Sequence, residues 1–228
     1  MTEEMAKTFN DAIAENDNDL FEYKSTLSQE RVKWINEYLL KYLEKNKTLI
    51  EFGCGAGKQL FKIEELGLKI IGIEISKEMI KRFNKNKIAI KSNAKIIEGS
   101  YFDVPINENS IDYVLFAKNI IECSYKEFEI ICKEAKKILM ENGIFIITMS
   151  ENLEKHERNI KNYDILEGKY TGRIDTPTKK DVNYHTFYWT IGFANYILSK
   201  EFDFVEKVME IDEKGTTLLI YKKKNYFA

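Results

Sequence analysis

Three glycines alternate in the run Glu51-Phe52-Gly53-Cys54-Gly55-Ala56-Gly57-Lys58, directly after the apolar stretch Leu49-Ile50. Glycines this dense behind a strand let the backbone turn sharply and come close to a ligand. A helical pattern then begins at Gln59, and free N–H groups at a helix start attract an anionic group. A second apolar run, Lys69-Ile70-Ile71-Gly72-Ile73-Glu74, also ends in a carboxylate. A carboxylate at such a strand end accepts ribose hydroxyls. Together the two runs predict a nucleoside-containing cofactor lying across the ends of two parallel strands. The plainer readings are an ordinary turn and a solvated strand end. The alternation of the glycines and the apolar setting of both acids weigh against them.

The elements that must position these residues follow from hydrophobic periodicity. Strands are expected at Thr48–Phe52, Lys69–Glu74, Lys95–Glu98, Ile111–Ala117 and Ile144–Met149. Helices are expected over Gln59–Leu66, Lys77 to about Asn84, and Tyr125 to about Met140. Ser76 reads as an N-cap, Gly67 ends the first helix, and Asn142-Gly143 ends the third with Asn142 left-handed. This alternation implies parallel strands joined by right-handed crossovers. Upstream, Val32, Trp34, Ile35, Tyr38, Leu39, Tyr42 and Leu43 recur at helical spacing, predicting a helix from about Leu27 to Glu44 with Ser28 as its N-cap. Downstream, a helix over Gly192–Lys200 precedes a hairpin of Val205–Ile211 and Thr216–Lys222.

The chain has 228 residues, which suits one domain with a substantial core. With 44% hydrophobic and 32% charged residues it reads as soluble and globular. A formal charge of −2 gives no general reason to expect a nucleic-acid partner. No apolar run approaches the roughly 18 residues of a membrane helix, and the acidic start Met1-Thr2-Glu3-Glu4-Met5 lacks the character of a secretory signal. The three cysteines, Cys54, Cys123 and Cys132, lack metal spacing and suit a reducing compartment. The expectation is a cytoplasmic protein without a bound metal, acting as a monomer or homodimer.

At these residues the chain resembles the class I S-adenosylmethionine-dependent methyltransferases. That family's first motif, an acid followed by Gly-x-Gly-x-Gly, is matched by Glu51, Gly53, Gly55 and Gly57. Its second is matched by Glu74 and the following Ile75-Ser76-Lys77. Its third is matched by Gly99-Ser100-Tyr101-Phe102-Asp103-Val104-Pro105, with Ser100 where Asp is common. The fourth and fifth strands, Ile111–Ala117 and Ile144–Thr148, follow in order. The resemblance implies an α/β, Rossmann-like fold: a seven-stranded, mostly parallel sheet with a C-terminal antiparallel hairpin and helices on both faces. It implies one domain, 1–228: an N-terminal helical segment (1–47), a cofactor-binding core (48–150), a substrate cap (151–190), and the last helix and hairpin (191–228).

It also implies S-adenosyl-L-methionine as cofactor, with Glu51, Gly53, Gly55, Gly57, Glu74, Ile75, Ser100, Tyr101 and Ala117 around it. Glu51 would orient the methionine ammonium, and Ala117 would offer a backbone carbonyl. The family frequently has Glu-His where Glu122 and Cys123 stand. That histidine is absent, so no mechanism resting on it carries over. The acceptor is read as a small molecule methylated on oxygen or nitrogen. His185 and Tyr188, in the aromatic run Tyr184-His185-Thr186-Phe187-Tyr188-Trp189, are the candidate bases; the plain reading of His185 is a filler of an aromatic cluster. Alternatives are a non-catalytic S-adenosylmethionine-binding regulatory module and a nucleic-acid methyltransferase. A nicotinamide dehydrogenase is disfavoured because Lys58 stands where its glycine fingerprint needs Gly or Ala.

Overall fold

The computed structural model describes residues 7, 8, 10, 11, 14, 35–117, 120, 123–150, 162–164, 169–174, 182–187, 189–208 and 216–225. Its strands in chain order are β1 (Thr48–Phe52), β2 (Lys69–Glu74), β3 (Lys95–Glu98), β4 (Ile111–Ala117), β5 (Leu139–Ser150), β6 (Asn162–Asp164), β7 (Lys169–Ile174), β8 (Val182–Phe187), β9 (Phe202–Val208) and β10 (Thr216–Lys223). Its helices are α1 (Lys58–Glu64), α2 (Lys77–Ile90), α3 (Tyr125–Ile138) and α4 (Ile191–Leu198), preceded by a π-helical turn, Ile35–Leu39.

The main sheet has seven strands in the order β3-β2-β1-β4-β5-β10-β9. β1 to β5 pair in parallel. β10 runs antiparallel to both β5 and β9, so six strands point one way and one points back. β6, β7 and β8 form a separate antiparallel sheet. The expected mostly parallel sheet with a C-terminal hairpin is therefore present.

Helices on both faces bury the central strands from both sides, as parallel sheets require. Along β1, Ile50 and Phe52 join Val114, Phe116, Phe128, Ile131, Ala135, Ala194 and Leu198 in one core, under α3 and α4. The alternate residue Leu49 joins Leu60, Ile63, Phe83, Leu115 and Ile146 in the other, under α1 and α2. Each fully buried Phe or Leu contributes about 1.5–3 kcal/mol. Among the described residues no helix is long and apolar enough to cross a membrane.

Three of the four helices start at side-chain caps, while α1 starts at left-handed Gly57 without one. Ser76 Oγ accepts from Met79 N at 3.1 Å, and Thr190 Oγ1 accepts from Phe193 N at 3.1 Å. Ser124 and Glu127 form a capping box at α3.

Some boundaries differ from expectation. α2 runs past Asn84 to Ile90 because Met79, Phe83 and Asn86 continue a buried stripe through a lysine-rich stretch, and left-handed Lys91 stops it. α3 ends at Ile138 and β5 begins at Leu139, which already pairs with Ile111. The chain then makes an irregular excursion before Ile144, with Asn142 left-handed at φ 63 as expected. β9 starts at Phe202, earlier than Val205, because Phe202 packs on Phe145 with ring centroids 5.2 Å apart. Ser28 and the first half of the N-terminal helix lie outside the described residues. The described remainder is the π-helical turn, which seats Leu39 and then Leu43 in the α1–α2 core.

Gly57 takes φ 79, and a Cβ there would stand 2.6 Å from Phe83 Cδ2 and 2.8 Å from Phe61 Cε2. Gly57→Ala is expected to cost about 1–3 kcal/mol of stability through overpacking and left-handed strain. A lower urea midpoint with an unchanged m-value would show it. A wild-type midpoint would mean that the Phe61–Phe83 pair yields freely.

Candidate active site

The site is built at the carboxyl ends of β1, β2 and β4, where an open α/β sheet binds its ligand. Leaving β1, the chain turns back onto β2: Gly53 N and Cys54 N both donate to Ile73 O, at 2.9 and 3.0 Å. Gly53, Gly55 and Gly57 all have positive φ, at 67, 53 and 79. Residues with a Cβ rarely adopt this conformation, so the alternation of glycines has a backbone cause. Gly57 serves packing. Gly55 differs, since a Cβ built on it would find no atom within 4 Å. The loop therefore presents bare backbone to open space.

Glu74, 5% exposed at the end of β2, ties this loop down. Its Oε2 accepts from Gly55 N at 2.8 Å, and its Oε1 from Ile75 N at 2.9 Å and Ser76 N at 2.8 Å. Burial pushes its pKa above the ordinary glutamate value, while the N–H groups of Ser76, Gly55 and Ile75 pull it back. Glu51, 4% exposed, stands one residue before the end of β1, on the same face as Leu49. Cys54 is also buried, and its thiol stays protonated: burial raises its pKa well above the ordinary value, and Glu51 and Glu74 push the same way. The loop thus lies between two buried carboxylates.

The third motif arrives beside them. Gly99 N donates to Glu74 O at 3.0 Å, placing Ser100 and Tyr101 next to the end of β2. Ser100 Oγ accepts from Phe102 N at 3.0 Å, so this hydroxyl shapes its own turn. The Tyr101 ring stacks on Phe52 with centroids 6.4 Å apart and meets Phe116 edge-on at 5.6 Å. It thereby spans the ends of β1 and β4. Ala117 closes β4 in register with Thr148.

The structure thus brings Glu51, Gly53, Gly55, Gly57, Glu74, Ile75, Ser100, Tyr101 and Ala117 to one edge of the sheet. His185 lies on β8 opposite Thr171, two residues before buried Phe187. Tyr188, Lys118, Asn119 and Glu122 lie outside the described residues. Among the described residues no cluster of His, Cys, Asp and Glu is placed to hold a metal.

Two contributors escape a sequence reading. Asn86, 3% exposed on α2, donates Nδ2 to Ala56 O at 3.1 Å and so anchors the glycine loop from behind. Its signal was its place on the Met79–Phe83 stripe. Asp11 accepts from Ser76 Oγ at 2.5 Å, and no local pattern marks it.

These features fit S-adenosylmethionine. Gly55 leaves a cradle that a side chain would fill, and two buried carboxylates suit a cationic donor. A dinucleotide would bring its pyrophosphate to the loop beside Glu51, a repulsive pairing. A family model described as a methyltransferase domain matches residues 43–188. The chain belongs to that family, the class I S-adenosylmethionine-dependent methyltransferases.

Over 143 residues the chain is 27% identical to the ubiquinone biosynthesis O-methyltransferase of Pelagibacter ubique, covering 55% of each chain. Over 143 residues it is 30% identical to the ribosomal protein L11 methyltransferase of Campylobacter lari, covering 60% of this chain and 47% of that one. It spans about half the length of these curated relatives. The crystal structure of the PH0226 protein from Pyrococcus horikoshii shares the fold, with TM-score 0.77 at 20% identity over 89% of this chain and 93% of that one.

Both Glu74 oxygens take backbone N–H groups, so an amide is a poor substitute. Whichever way it lies, its NH₂ faces a donor. Glu74→Gln and Glu74→Ala are both expected to weaken binding of S-adenosylhomocysteine by about 1.5–3 kcal/mol. Calorimetry returning wild-type affinity for either would remove Glu74 from the site.

The pH dependence has a definite sign. The folded chain holds the Glu74 proton more tightly than the unfolded chain. This group's contribution to stability is therefore full below the ordinary glutamate pKa and falls as pH rises through the raised value. Cofactor affinity runs the other way, rising over the same window as the acceptor ionises. Affinity independent of pH from acid to neutral would contradict this.

Proposed function

We propose that this chain moves the methyl group of S-adenosylmethionine to an oxygen or nitrogen of a small-molecule acceptor in the cytoplasm. The observation that carries the reading is the joint at Gly55. Glu74 holds its N–H, and the space where a side chain would stand is open. A nucleoside can lie against the loop with the β2 carboxylate at its ribose. When bound, S-adenosylmethionine supplies a methyl group already activated on a sulfonium, so the protein's work is to bind, orient and exclude water.

The residues divide that work. Three of about four lone-pair directions on Glu74 are taken by N–H groups, leaving one on Oε2 for a ribose hydroxyl. Glu51 orients the methionine ammonium. Ser100 already accepts from Phe102 N, which leaves its proton for a ring nitrogen of the adenine. Tyr101 and Ala117 contribute backbone groups.

A small acceptor is supported by the insertion that carries β6, β7 and β8. It departs from the carboxyl end of β5 at Ser150. It returns at Trp189, whose Nε1 donates at 3.0 Å to Cys123 O, just ahead of α3. Both anchors belong to the edge of the sheet that holds the site. His185, in β8, and Tyr188, which follows Phe187 in the sequence, are the candidate bases for a hydroxyl acceptor. A protein acceptor is the second reading, favoured by the likeness to the ribosomal protein L11 methyltransferase.

Calorimetry is expected to show S-adenosylmethionine and S-adenosylhomocysteine binding and NAD not binding. NAD binding alone would overturn the reading. An assay for S-adenosylhomocysteine release, run with small phenols, alcohols and amines and separately with ribosomal proteins, decides the acceptor. Turnover with proteins alone would move the function to the second reading. Cofactor binding without turnover on either panel would make the chain a binding module. On the true acceptor, His185→Ala is expected to lower kcat by about 10²–10⁴-fold with cofactor affinity unchanged. A loss confined to KM would make His185 a binding contact.

A further inference from the structure

The described part of the N-terminal segment reaches the cofactor site from outside the sheet. Asp11 Oδ1 accepts from Ser76 Oγ at 2.5 Å and from Glu78 N at 3.3 Å. Ala14 is fully buried, and its carbonyl accepts from the Arg82 guanidinium on α2. Ser76 is fully buried as well. Its hydroxyl accepts from Met79 N at 3.1 Å, and its N–H donates to Glu74 Oε1 at 2.8 Å. Glu74 in turn holds Gly55 N at 2.8 Å. The hydrogen bonds run unbroken from Asp11 through Ser76 and Glu74 to the glycine loop.

We propose that Asp11 is a positioning residue of the cofactor site, acting through Ser76 to hold Glu74 and the glycine loop in their binding geometry. A serine hydroxyl has one proton and is free to rotate. Giving that proton to Asp11 fixes the oxygen's lone pair on Met79 N, and with it the backbone that aims Ser76 N at Glu74. Asp11 also takes Glu78 N, a donor in the first turn of α2 that the helix itself leaves without an acceptor. A negative charge is favourable at that end of a helix. The cap of α2 is thus completed by a residue far away in sequence, and two carboxylates share one serine: Glu74 through its N–H, Asp11 through its hydroxyl. Docking of the N-terminal segment and binding of the cofactor are coupled through this serine.

The identity of the ligand rests on the methyltransferase reading; the hydrogen-bond chain does not. The test uses the full chain and S-adenosylhomocysteine. Asp11→Ala is expected to weaken binding by about 3–30-fold, the fold-change of a lost helix cap. Asp11→Asn, which keeps an acceptor oxygen, is expected to recover to within about threefold of wild type. In the ligand-free protein, Asp11→Ala should speed hydrogen exchange at the amides of Gly55, Ile75 and Ser76 while leaving β5 and β10 at wild-type rates.

Wild-type affinity in Asp11→Ala overturns the role of Asp11. Faster exchange spread equally over β5 and β10 also overturns it, by showing a global loss of stability. If the wild-type chain itself fails to bind S-adenosylhomocysteine, the proposed function is what fails. Unchanged exchange at Gly55 would then overturn the role of Asp11 separately.

Discussion

Glu74 accepts three backbone N–H groups, from Gly55, Ile75 and Ser76, at 2.8–2.9 Å. This clasp ties the loop after β1, already bonded to β2 through Gly53 N and Cys54 N, to the end of β2 and the start of α2. A loop of left-handed glycines has high conformational entropy when free, and its shape must be imposed from outside. Glu74 imposes it from the front, and Asn86 imposes it from behind through Ala56 O. The open face of Gly55 is a consequence of both.

The clasp carries an electrostatic cost. A carboxylate at 5% exposure loses most of its hydration, and its pKa rises as a result. The three N–H groups offset part of that cost. What is left is an acceptor held rigid at the glycine loop, out of reach of most of the water that would screen it. Such an arrangement destabilises the empty fold somewhat and favours a cationic ligand that supplies hydroxyl donors. The two hydrophobic cores supply the rigidity that makes the trade possible, since Leu49 and Ile50 clamp β1 from opposite faces.

The parts of this structure legible in the sequence are those set by short-range chemistry. β1, β2, β3 and β4 fall at their expected bounds because each is an apolar run closed by a charge or a turn. The left-handed Gly53, Gly55 and Gly57 and the Ser76 cap are local in the same sense. Boundaries moved where tertiary packing prevailed over local pattern. α2 outlasts its lysine run because Asn86 is pinned beneath the glycine loop, and β9 starts early because Phe202 finds Phe145. The long-range partners of the site were illegible for a plain reason. Asp11 reaches Ser76 across 65 positions of chain, and no periodicity encodes such a meeting.

The glycine loop and the insertion after β5 are consequently built by different physics. The glycine loop is set by backbone conformation and by carboxylates at strand ends, all local in sequence, so a short motif describes it well. The insertion between β5 and α4 is built separately: its strands β6, β7 and β8 pair with one another in their own sheet. That sheet meets the core through anchors such as Phe187 and Trp189, both buried against α3 and its neighbours. The glycine loop and the insertion therefore do not depend on each other's hydrogen bonding, and relatives at 27% and 30% identity that share part of this chain's sequence are named a ubiquinone biosynthesis O-methyltransferase and a ribosomal protein L11 methyltransferase.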